Sequence, residues 1–185
     1  FQATLLASQK DTQMQQRLAS LDNHTQDNVI QIPTSETINH LVNLYNEGQY
    51  AIVVEQAQSL IKQYPQAFVI WKILGAAYKG LGQVEEASEA FKKVTELNPN
   101  YANGFNDLGI TLQTLGKYEE AIKAYKNALL LRPNYAEVYN NIGNTLKDTG
   151  KLNEAIDAYK QAVLLIPDTP EIHNNLGLTL KEQGK

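Results

Sequence analysis

The chain has 185 residues, of which 43% are hydrophobic and 19% charged, enough apolar content for one core or an extended array. Its net charge is −4 with no run of five or more basic residues, so the clustered cations that hold a nucleic-acid backbone are missing. It has no cysteine to supply a disulfide, a thiolate metal site or a thiol nucleophile, which suits a cytoplasmic location. No apolar run approaches the roughly 18 residues that cross a bilayer, so no membrane partner is expected.

The opening stretch, FQATLLASQK, lacks the basic start and sustained apolar run of a secretory signal. It begins with Phe rather than Met, which suggests trimming. Within residues 1–33, Ala7, Met14, Leu18 and Leu21 have helical spacing, but Asp11 interrupts the stripe. This N-terminal arm reads either as a weak helix or as a disordered segment, and Asn28 to Pro33 as an extended connector.

From residue 34 onward the chain is periodic. Gly48, Gly82, Gly116, Gly150 and Gly184 recur every 34 residues, as do Gly75, Gly109, Gly143 and Gly177, and Pro65, Pro99, Pro133 and Pro167. Each period reads as two helices. Residues 34–67 keep Leu44, Gly48, Tyr50, Leu60 and Pro65 in frame, but Thr37, His40 and Leu41 replace the aromatic, Leu and Gly of later units. In 68–101, Trp71, Leu74, Gly75 and Tyr78 form a first-helix stripe, and Ala87, Phe91 and Val94 a second. Gly82 ends the first helix and Asn98-Pro99 the second. Gly75 costs a helix about 1 kcal/mol against Ala, and close approach of the paired helix through Ala87 is the expected compensation. Glu85-Glu86 and Glu119-Glu120 open second helices, where acids suit the macrodipole; Glu89 with Lys93 and Glu119 with Lys123 are spaced for i,i+4 pairs. Residues 102–135 repeat the pattern with Phe105, Leu108, Gly109, Leu112, Ala121, Tyr125, Ala128 and Pro133. Residues 136–169 do so with Tyr139, Ile142, Gly143, Leu146, Ala155, Tyr159, Ala162 and Pro167. Residues 170–185 hold one helix, either the start of a truncated unit or a cap.

Residues 71–99 match W-x2-L-G-x2-Y…A-x3-F…P letter for letter, and the pattern repeats in register over about residues 34–185. The chain therefore resembles a tetratricopeptide repeat (TPR) array. The resemblance implies an all-α, right-handed solenoid of stacked antiparallel helix pairs. It also implies a scaffold that binds an extended peptide or partner protein in the concave groove lined by first helices.

Beside the buried stripe of each first helix runs a second stripe, the expected groove lining. It comprises Lys72, Lys79, Asn103, Asn106, Ile110, Gln113, Asn140, Asn144, Lys147, Asn174, Leu178 and Lys181. Asn106, Asn140 and Asn174 form a column at the repeat spacing, and Asp107, Asn141 and Asn175 a second. An amide both donates and accepts, so such a column can hold a peptide backbone whatever its side chains. This is similar to the asparagine ladder of O-GlcNAc transferase-like proteins. The same amides can also bridge repeats, and both readings stand. Three hydrogen bonds of about 0.5–1.5 kcal/mol each fall short of the roughly 8 kcal/mol of micromolar binding, so Ile110 and Leu178 are the expected apolar anchors. The clamp by which related arrays hold acidic chaperone tails is not matched. Lys72 fits, but Ala76, Asp107, Glu137 and Asn141 occupy the other places.

No catalytic function or cofactor is expected. His40 and His173 fall at core-facing positions and His24 lies far from both, while Gly116-Lys117 and Gly150-Lys151 lack the spacing and hydroxyl of a phosphate loop. Two alternatives accompany the scaffold reading. The chain could be the N-terminal substrate-recruiting arm of a larger glycosyltransferase or sulfotransferase, or it could self-associate through the open array end or the N-terminal arm.

Overall fold

The computed structural model describes residues 32–184, and the expectation for the N-terminal arm lies outside them. Among these residues there are nine helices and no strand: α1 (Ser35–Asn46), α2 (Tyr50–Gln63), α3 (Phe68–Gly80), α4 (Val84–Leu97), α5 (Ala102–Thr114), α6 (Tyr118–Leu131), α7 (Ala136–Asp148), α8 (Leu152–Leu165) and α9 (Pro170–Glu182). Consecutive helices pack together along the chain, and α1 also touches α3, α5 touches α7 and α7 touches α9. The result is an all-α solenoid.

Local chemistry sets the helix ends. The Thr34 hydroxyl accepts from the Thr37 amide at 3.2 Å and so caps α1. Pro170 opens α9, where a missing N–H costs nothing. At the end of α5 the Gly116 amide bonds the Gln113 carbonyl and the Lys117 amide the Leu112 carbonyl, each at 2.9 Å. This paired closure needs a left-handed residue, and Gly116 has φ +70°. Gly48, Gly82 and Gly150 close α1, α3 and α7 in the same way.

The mid-helix glycines are explained by rings rather than by the expected alanines. A Cβ on Gly75 would stand 3.0 Å from the Phe91 ring, and one on Gly109 or Gly143 nearer still to Tyr125 or Tyr159. Ala87, Ala121 and Ala155 are fully buried one turn earlier, but the aromatic ring makes the close approach. Tyr125 and Tyr159 are themselves fully buried.

First helices are also buried against the preceding unit. Ile70, Val138, Thr111, Thr145 and Thr179 are almost wholly inaccessible. The three threonine hydroxyls donate to the carbonyls of Asp107, Asn141 and Asn175 at 3.2, 2.8 and 2.7 Å, which satisfies them inside the core.

Four expectations change. Lys93 pairs with Glu96 at 3.0 Å rather than with Glu89, and Glu119 has no cation within 4.0 Å among the described residues. Exposed pairs are worth under about 1 kcal/mol, so side-chain freedom decides between neighbouring partners. His40 is exposed, because the adjacent Leu41 fills the core instead. His173 is exposed too; its Nε2 lies 2.6 Å from the Pro167 carbonyl, matching the 3.0 Å bond from Trp71 Nε1 to the Pro65 carbonyl.

Candidate functional site

The odd helices present the candidate site, and their amides meet across the seams between repeats. Asn141 Nδ2 donates to Asn106 Oδ1 at 3.0 Å, and Asn175 Nδ2 donates to Asn140 Oδ1 at 3.1 Å and Asn144 Oδ1 at 3.4 Å. Asn106 Nδ2 in turn donates to Glu137 Oε1 at 3.1 Å. The two columns therefore interlock along the array.

Burial follows from that interlock. Asn106 and Asn140 are 3% and 7% exposed, whereas Asn174 is exposed. The first column is thus two rungs committed to the seams and one open rung, not three equivalent open rungs. Neighbouring polar groups are engaged too. Gln113 accepts from the Tyr125 hydroxyl at 3.0 Å and donates to Asp148 at 3.3 Å, and Asn144 accepts from the Tyr159 hydroxyl at 2.8 Å. Asn103 Oδ1 accepts from Arg132 Nη2 at 2.8 Å and from the Tyr135 hydroxyl at 3.3 Å, while the guanidinium lies 4.2 Å from the Tyr135 ring centre. Burial pushes the Tyr159 phenol up to about 12 and raises that of Tyr125 as well, so both remain neutral donors.

The other expected residues are more open. Lys79, Leu178 and Lys181 are exposed, Lys72 and Lys147 half-buried, and Ile110 is half-buried against the core around Tyr125 and Ile142. Lys72, Lys79 and Asn103 come together in a cavity of about 670 Å³ between α1, α3 and α5. Val42, Tyr45, Tyr101 and Asp107 also line it and were not among the expected groove residues. Burial pushes the Asp107 carboxyl up to about 6; Lys79 and then Lys72 oppose the shift, and Glu137 adds to it. The available signal for Asp107 was its place as the acid in a column otherwise of asparagines. Tyr101 shared its repeat position with Tyr135.

A larger cavity, about 780 Å³, is lined by Ile61, Trp71, Leu74, Tyr78 and Leu115. Its rim carries Glu85, Glu86 and Glu89 against Lys62, Lys93 and Lys117, so it has no net field to select a charged ligand. Among the described residues no group of three His, Asp or Glu is placed to hold a metal, and no helix is long and apolar enough to cross a membrane.

A model of the TPR repeat matches residues 75–116, 114–150 and 143–184. The MamA protein of Desulfovibrio magneticus RS-1 is similar in structure, with a TM-score of 0.75 and 21% identity over 80% of this chain and 84% of that one. TTC0263, a TPR protein of Thermus thermophilus, superposes with a TM-score of 0.64 and 21% identity over 78% and 79% of the two chains. The first TPR of Spaghetti (RPAP3), solved with an HSP90 peptide, gives a TM-score of 0.61 and 22% identity over 64% of this chain and 94% of that one. No curated protein matches the sequence. At these identities the likenesses establish the fold.

Proposed function

The chain belongs to the tetratricopeptide repeat family, and on that premise we propose that it is a protein-interaction scaffold holding an extended peptide or partner segment along its odd helices. The observation that carries this reading is the cavity between α1, α3 and α5, where apolar and charged side chains converge, followed along the odd helices by seams whose amides bond one another. Seams closed by amides bonded to one another leave Lys72, Lys79, Lys147, Asn174, Leu178 and Lys181 as the groups that select a ligand. Asn106 and Asn140 act in this reading as positioning residues, with Asn103, Ile110, Gln113 and Asn144 at the border. RPAP3 supplies an example of a related array with a bound peptide.

The test is site-specific photocrosslinking in cell extract, with the reactive residue at position 79 or 181 and, as controls, at 120 or 160. Discrete adducts from 79 and 181 alone are expected; equal labelling from all four positions would remove the groove from the mechanism.

A further inference from the structure

The seam between α3 and α5 breaks the rule followed by the next two. Shifting the bonded pair Asn141–Asn106 back by one repeat, or Asn175–Asn140 back by two, gives Asp107 and Lys72. These two do not close the seam: among the described residues Lys72 has no carboxylate within 4.0 Å, and its Nζ stands 5.8 Å from the centre of the Tyr101 ring. Lys79, further along the same face of α3, is likewise unpaired there. The cavity opens at this seam.

We propose that this unsealed seam is a recognition pocket for an acidic side chain carried next to an apolar one on the bound segment. The apolar group lies against Val42, Tyr45 and Tyr101, and the carboxylate reaches Lys72 and Lys79. The inference rests on the groove reading above and names its ligand class. Two arguments support it. Among the residues that line the cavity two ammonium groups stand against one partly buried carboxylate, a positive balance that an incoming anion neutralises, while Glu137, outside the lining and bonded by the Asn106 amide, offsets part of it from α7. The volume also falls in the ordinary range of pockets that enclose small groups, roughly 300–1,000 Å³.

Asp107 gives the pocket a signature. The charged groups facing it are Lys72 and Lys79 from α3 and Glu137 from α7, and Tyr45 and Tyr101 also line the cavity. A bound carboxylate repels an ionised Asp107, so its arrival draws a proton onto that residue, which already titrates near 6. The ligand's own carboxyl, ordinarily near 4, stays charged. Affinity therefore rises as pH falls from about 8 to about 6, opposite to what protonation of the ligand would give.

The experiment uses an array of capped peptides with constant flanks and a central Glu-Phe, Glu-Leu, Gln-Phe or Lys-Phe. It is probed at both pH values with the wild-type chain, with Lys72→Gln/Lys79→Gln and with Asp107→Asn, each shown to be folded by its melting curve. Retention of the two Glu peptides above the Gln and Lys controls is expected, about five-fold stronger at the lower pH, which corresponds to roughly 1 kcal/mol. Asp107→Asn should remove the pH dependence and raise retention at the higher pH, and the double lysine variant should lower retention at both. Glu and Gln peptides retained equally, or binding indifferent to all three residues, would overturn the pocket while leaving the groove reading intact. No retention of any peptide by the folded chain would overturn both.

Discussion

Between α5 and α7, and again between α7 and α9, the odd helices are joined by an amide on each side, donor to acceptor. Between α3 and α5 the same two positions carry an ammonium and a carboxylate that do not meet, and a cavity stands in place of the bond. The difference lies in charge and hydration. An amide donates and accepts at once and gives up little hydration when buried, so it can seal a packed seam. Ionised groups lose far more on burial and keep their solvent unless their geometry is good. The sealed seams serve as platform, and the unsealed one remains available for chemistry with a partner.

That contrast can be broken by substitution. The largest effect belongs to the packing beneath a sealed seam. Gly143→Val drives a branched side chain into the Tyr159 ring and should cost about 3 kcal/mol, near the upper end for overpacking, whereas Gly177→Val, with no neighbour to displace, should change little; urea denaturation measures both. Next comes the seam itself. Asn140→Ala strips Asn175 of its shorter acceptor and should cost about 2 kcal/mol, while Lys72→Ala at the unsealed seam should stay within about 0.5 kcal/mol.

Third is the pH response. Asp107 has a folded pKa near 6, above the 3.8 of an ordinary Asp, so the folded state binds the proton more tightly. Its contribution is fully favourable below about 4 and is lost as pH rises through about 6. Asp107→Asn should flatten that slope and stabilise the chain near neutrality by roughly 1–2 kcal/mol, less than the whole shift implies because the side chain is partly solvated. The smallest effect is expected for Tyr159→Phe. It removes the bond to Asn144 and should cost about 1 kcal/mol while leaving the ring over Gly143 in place.

The repeat and its helices were legible because glycine and proline state backbone requirements directly. The left-handed turn at Gly116 and the close approach at Gly109 leave no freedom of residue type, so they recur visibly. Directions of side chains were less legible. Asn106 and Asn141 stood out at the repeat spacing, but which of them faces the seam depends on how α5 lies against α7, a relation between helices rather than within one. The buried threonines 111, 145 and 179 also recur at the period, yet a threonine on a helix gives no sign of facing inward until its hydroxyl is seen bonded to its own backbone. Asp107 was visible as an exception in its column, but its partial burial, the source of its raised pKa, is a property of the packed array.

The turn glycines have a consequence for how the chain finds its structure. Tyr125 lies sixteen residues after Gly109 and eighteen before Gly143, and both glycines offer the same notch for an aromatic ring. Closing either loop costs nearly the same entropy, so distance along the chain does not choose between them. The turn at Gly116 chooses, by reversing the chain within two residues and bringing α6 back onto α5 before α7 is available. Each left-handed glycine is therefore an arbiter of pairing during folding. A β-branched residue at 116 would strain that reversal, since φ +70° is a conformation such side chains rarely adopt.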